Sequence, residues 1–145
     1  MAMRSRWWDR CPVAEPTVVV AIVDGPLGPA QPWSAEGAGA ILSFEGVVRP
    51  TEGGSAIDAL DYDAYRPMAE STLTDLAQLM ITDHGVTAVA VEHAVGRVAV
   101  GEISFRLRIA SEHRAEGLAA AADFISLMKQ DVPLFKVPVV REVAT

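Results

Sequence analysis

The chain has 145 residues, 50% of them hydrophobic, with 12 Lys and Arg against 19 Asp and Glu for a formal charge of −7. That length holds one domain with an ample core, while the acidic balance is the opposite of the basic footprint of a nucleic-acid or membrane-surface binder. The single cysteine, Cys11, excludes an internal disulfide and a cysteine-based zinc site, and no window approaches the roughly 18 apolar residues of a bilayer span, so a cytoplasmic protein is expected.

Residues 1–15 carry Arg, Trp and Pro without periodicity and read as an N-terminal arm ahead of one domain over 16–145. Residues 17–23 form a β-branched run closed by the turn signal Asp24-Gly25-Pro26, which predicts a first strand. A second strand is expected over 37–48, where small residues at the start point to close backbone approach. It runs into Arg49 and Pro50, and Thr51-Glu52-Gly53-Gly54-Ser55 then reads as a flexible loop. Residues 57–65 are a third strand. Pro67 opens a helix in which Leu73, Leu76, Ala77, Met80 and Ile81 follow one face, with Gly85 placed to end it.

A short strand is expected over 86–92. Residues 102–111 alternate clearly, with Ile103, Phe105, Leu107 and Ile109 facing one way and Ser104, Arg106 and Arg108 the other. Ser111 is placed to cap a second helix whose core stripe would be Leu118, Ala121, Ala122, Ile125 and Met128. Pro133 stops that helix, leaving Lys129 in its last turn, and residues 134–140 return to an extended pattern carrying Lys136. Strands and two helices in mixed order predict an α+β domain.

An acidic chain that handles an anion must gather its few cations locally. His113 and Arg114 occupy the first turn of the second helix, where free backbone N–H groups and the helix dipole favour a phosphate; the plainer alternative is a solvated helix start. Lys129 and Lys136 flank Pro133, and a turn there brings both toward one pocket; the plainer alternative for Lys129 is dipole complementation at a helix end. Arg49, beside the glycine-containing loop, is either a ligand or a surface residue. The chain has no glycine-rich phosphate loop with Lys-Ser/Thr, no Gly-x-Ser-x-Gly and no His-Glu-x-x-His. Its three histidines, His84, His93 and His113, lack metal-ligand spacing and read as structural or surface groups, so no metal is expected.

Taken in order, GAGAILSFEGVVR, LDYDAYRPMAE, HAVGRVAVGE, ASEHRAE and LMKQDVPLFK resemble the family of the large, catalytic subunit of molybdopterin synthase, collinearly over residues 37–136. The resemblance implies an α/β-hammerhead fold with a mixed or antiparallel sheet and a homodimer within a heterotetramer. It implies a small ubiquitin-like sulfur-carrier subunit whose C-terminal Gly-Gly thiocarboxylate gives its sulfur to cyclic pyranopterin monophosphate, forming the molybdopterin dithiolene without a metal or organic cofactor. In that family's pattern Arg49, His113 and Arg114 would bind the substrate, while Lys129 and Lys136 would be catalytic, neutralising the thiocarboxylate and the developing oxyanion.

Three positions depart from the family toward lower positive charge. Val47 stands where a lysine is common, Ala94 replaces the arginine of a His-Arg-x-Gly segment, and Val137-Pro138 replaces a basic-acidic pair. The chain also ends at Thr145, without the longer tail carrying Gly and Trp that members often add. These departures sustain a second reading, a non-catalytic paralogue that binds the carrier or a standard catalytic subunit as scaffold or regulator, and a third, an enzyme shifted to another pterin phosphate or carrier tail.

Overall fold

In the computed structural model residues 17–142 are described, so the arm expected over 1–15, and Cys11 with it, lies outside the described residues. In chain order the elements are β1 (Thr17–Asp24), β2 (Ala40–Val47), β3 (Thr51–Glu52), β4 (Ser55–Ala64), α1 (Met68–His84), β5 (Ala88–Ala99), β6 (Ile103–Ser111), α2 (Arg114–Asp131) and β7 (Leu134–Val140). β5 and β6 pair antiparallel at the centre; β2 lies antiparallel on the far side of β6, and β1 runs parallel to β5. From Gly96 to Ala99, β5 changes partner to β4, which in turn pairs with β7. The α+β class expected from the sequence therefore takes the form of a mixed sheet with two helices.

Both helices cover one face of that sheet, α1 over β1 and β5 and α2 over β6 and β2. The layer between them is apolar: Leu73, Met80, Val89, Val91, Leu107, Ile109 and Phe124 are buried, and Phe105 stacks on Phe124 with ring centroids 6.5 Å apart. Each such large side chain contributes about 1.5–3 kcal/mol. A second cluster, Leu27, Val48, Ile57, Leu60, Ala94 and Val98, fills the junction where β5 passes to β4. Among the described residues no helix is long and apolar enough to cross a membrane.

Several elements differ from their sequence expectation for identifiable reasons. The strand expected over 86–92 continues to Ala99, because a bend and change of partner sustain pairing where side-chain alternation has lapsed. β6 alternates as expected, yet its polar face is not solvated: Arg106 is 2% exposed, its guanidinium 2.8 Å from Glu45 and 3.4 Å from Glu92, and it donates to the carbonyl of Gly28. Arg108 donates to the carbonyl of Gln31, pairs with Glu92 and lies over the Trp33 ring, so the segment after β1 roofs this face. Buried guanidinium is tolerated there because it is paired and hydrogen-bonded.

The loop read as flexible at 51–55 is a tight hairpin. Thr51 pairs with Ala56 and Glu52 with Ser55, and Gly53 and Gly54 both take positive φ, 57° and 82°, as a two-residue type I′ connection demands. Close approach at the start of β2 is as expected: a Cβ on Gly39 would stand 2.2 Å from the carbonyl oxygen of Glu112. α2 is capped by His113, not Ser111, whose hydroxyl instead donates to the carbonyl of His113. Its buried stripe is Gly117, Ala120, Ala121, Phe124 and Met128, while Leu118 and Ala122 face outward. In so alanine-rich a helix the apolar pattern is nearly uniform, and only packing fixes which face turns inward.

Candidate functional site

A cavity of about 500 Å³ opens where the end of β2, the β3–β4 hairpin, the last turn of α2 and the start of β7 converge. Three of the five cationic candidates line it: Arg49, Lys129 and Lys136. Each arrives for a local reason. The register shift between Gly46 and Val47 breaks the β2–β6 ladder, and buried Val48 anchors the turned chain so that Arg49 follows into the cavity wall. Lys129 stands one residue beyond buried Met128 in the final turn of α2, and just past that helix the carbonyl of Pro133 accepts from the Tyr65 amide at the end of β4. Lys136 lies directly opposite Tyr62 across the β4–β7 ladder, and residues directly opposite share a face, so both meet the cavity.

Two further groups complete the lining. Glu52, from the hairpin, sits 2.8 Å from the ammonium of Lys136. The hydrogen bond from Lys136 foremost, with the fields of Lys136 and Arg49, holds its carboxyl below the usual carboxylate range. Deeper in, the Tyr62 hydroxyl donates to Ser104 Oγ at 3.2 Å and Ser104 to the carbonyl of Gly46 at 3.4 Å. His93 is buried beside them, edge-on to Tyr62, with Nδ1 2.7 Å from the carbonyl of Ala94. A carbonyl only accepts, so Nδ1 carries the proton and Nε2 of the neutral ring is an acceptor. Burial pushes this imidazole below its ordinary 6.5, against the pull of the Ala94 carbonyl.

His93 is a buried, backbone-bonded histidine, in keeping with the structural reading, and it also forms part of the cavity lining, which the sequence reading did not anticipate. The signal that would have found it was the length of β5, which the sequence pattern truncated one residue short. Glu52 was missed because its segment read as a mobile loop.

His113 and Arg114 are not among the residues lining the cavity. They sit at the opposite end of α2 from Lys129, about 22 Å along the axis at roughly 1.5 Å per residue. His113 is 75% exposed, its backbone N–H donates to the Glu116 carboxylate, and that bond holds Glu116 below the usual carboxylate range. The helix start read as a phosphate site already carries a carboxylate of its own. Of the three charge-reducing departures, only Val47 borders the cavity; Ala94 is fully buried in the second cluster, and Val137, 63% exposed, alternates away from Lys136.

Chemically, three cations drawn from separate elements, with one carboxylate and one neutral imidazole, suit a multiply charged anion. Residues 22–131 match the family model described as MoaE protein. The chain belongs to the MoaE family. Among its relatives, the molybdopterin synthase catalytic subunit of Arabidopsis thaliana is 38% identical over 71% of this chain, and that of Thermoplasma volcanium is 36% identical over 68%. The chain spans about half the length of the plant relative, 52%, and 72% of the archaeal one. The crystal structure of molybdopterin synthase from Staphylococcus aureus superposes with a TM-score of 0.74 at 26% identity, covering 84% of this chain and 91% of that one. The stretch matched by the family model contains Arg49 and Lys129, with Lys136 just beyond it.

Proposed function

We propose that this chain is a molybdopterin synthase catalytic subunit, transferring sulfur from the C-terminal thiocarboxylate of a small ubiquitin-like carrier to cyclic pyranopterin monophosphate. The observation that carries the reading is the convergence of Arg49, Lys129 and Lys136 on one cavity in a chain with a net charge of −7. A Gly-Gly tail is slender enough to enter such a cleft, and its terminal anion is attracted by Lys136 and Arg49. Once the thiocarboxylate sulfur has bonded to a substrate carbon, water adds to the acyl carbon of the resulting thioester. The ammonium of Lys129 stabilises the tetrahedral oxyanion, the kind of preorganised charge that acts chiefly on the transition state. The oxyanion collapses by breaking the carbon–sulfur bond, leaving the carrier as a carboxylate and the sulfur on the substrate as a thiolate.

His113 and Arg114 serve the same reaction only across copies, since about 22 Å of helix separates them from Lys129 within one chain. A homodimer that sets the α2 N-terminus of one copy beside the cavity of the other reunites the five residues, with Arg114 on the substrate phosphate. The carrier bound to each copy completes a heterotetramer. A single-turnover assay with thiocarboxylated carrier and cyclic pyranopterin monophosphate tests the reading: Lys129→Ala is expected to lower the rate of molybdopterin formation by about 10²–10³-fold. Undiminished product would remove Lys129 from the mechanism.

The second reading, a non-catalytic paralogue acting as scaffold or regulator, is favoured by Val47 in the cavity wall and by the neutralisation of Lys136 by Glu52. It predicts carrier binding with no molybdopterin formed by the unmutated chain.

A further inference from the structure

The cations of the cavity are not equivalent. Among the described residues neither Arg49 nor Lys129 has an ion pair, whereas Lys136 is held by Glu52 at 2.8 Å. Glu52 is also the one acidic side chain in the lining. In a cleft that receives an anion, a carboxylate at that distance from a lysine occupies the position a ligand's own carboxylate would take. We propose that Glu52 sets the affinity of the cavity for a terminal carboxylate or thiocarboxylate by acting as the resting partner of Lys136, which the ligand must displace. This rests on the reading of the cavity as the seat of the carrier's C-terminus.

The element that carries Glu52 is built for such an exchange. β3 has two residues, pairs with β4 alone, and turns through Gly53 and Gly54. Neither Thr51 nor Glu52 belongs to a core cluster, so the hairpin tip can move without opening packed apolar surface. Binding at Lys136 then exchanges one carboxylate contact for another and adds little net affinity there. Discrimination falls to the unpaired Arg49 and Lys129 and to contacts along the tail. After sulfur is lost, the carrier ends in an ordinary carboxylate, and return of Glu52 to Lys136 competes with that product and promotes its release. The low proton affinity of Glu52 keeps the competing charge present at neutral pH.

The test is equilibrium binding of a synthetic peptide ending in Gly-Gly with a free carboxylate, and of the same peptide amidated, to the unmutated chain, Glu52→Gln, Lys136→Met and the double variant. Glutamine matches glutamate in shape at a partly exposed position, so the fold is not at stake. Glu52→Gln is expected to bind the carboxylate peptide about fivefold tighter, the upper range for a partly exposed ion pair. The amidated peptide should gain nothing, and the gain should vanish in the Lys136→Met background. Equal or weaker binding by Glu52→Gln, or a gain that survives Lys136→Met, overturns the role of Glu52 while leaving the cavity's function standing. If neither the unmutated chain nor Glu52→Gln distinguishes carboxylate from amide, the assignment of the cavity to the carrier terminus falls as well.

Discussion

His93 and Lys129 line one cavity and differ in how their charge is controlled. Lys129 stands at an exposed helix end, where its ammonium meets solvent and any ligand directly. His93 is surrounded by Tyr62 and Phe105, and its charged form is opposed by burial. This has a consequence for stability whose sign is fixed. Above the ordinary value of 6.5 the ring is neutral in folded and unfolded chains alike; below it the unfolded chain takes up a proton that the folded chain resists. The contribution of His93 is therefore intact at neutral pH and declines as pH falls from 6.5 toward the lower folded value, by up to about 1.4 kcal/mol per pH unit. Urea unfolding of the unmutated chain and His93→Gln across that window checks it. The slope of stability against pH should be shallower in the variant, and parallel slopes would show that His93 is not buried neutral. Lys129 and Lys136 could be singled out in the sequence by their place around Pro133. His93 and Glu52 were not: the Gly53-Gly54 pair announces a hairpin, but the nearness of that hairpin and of the extended β5 to one cavity depends on how they pack against strands distant in sequence, which no local pattern states.

At the scale of elements, the helix punctuation was legible: Gly85 ends α1 in the left-handed conformation, and α2 stops just before Pro133. So was the alternation of β6 and the close approach before β2. The phase of α2 was not, since in a run rich in alanine the difference between one face and the next is a matter of which residues meet β6, here Phe124 against Phe105. The contact at Gly39 gives an element-level prediction. Gly39→Ala would drive a methyl against the Glu112 carbonyl and is expected to cost about 1–3 kcal/mol, lowering the melting temperature. Gly28→Ala, whose added Cβ would meet nothing within 4 Å, is the matched control and should melt almost as the unmutated chain does. Equal melting of the two variants would mean that the entry to β2 shifts freely.

For the whole molecule, the division of the five cationic candidates between the two ends of α2 is the decisive geometric fact. If the proposed homodimer shares its sites, Lys129→Ala and Arg114→Ala damage different copies' contributions to one cavity. Subunits carrying the two substitutions, each nearly inactive alone, should then recover part of the sulfur-transfer activity when unfolded together and refolded, because a mixed dimer contains one intact site. No recovery, with mixed dimers demonstrated by mass, would place Arg114 outside the site. The sequence by itself determined the class of fold, the cations available to an otherwise acidic chain, and, through collinear motifs, the family resemblance, because periodicity, breakers and ordered segments are local properties of a chain. Only the tertiary structure decided that Arg49, Lys129 and Lys136 meet, that His113 and Arg114 stand apart from them, that Glu52 holds Lys136, and that Ala94 removes no charge from the cavity. Those outcomes depend on strand register, on the partner change within β5 and on the length of α2, which set distances between residues far apart in sequence that local patterns leave open.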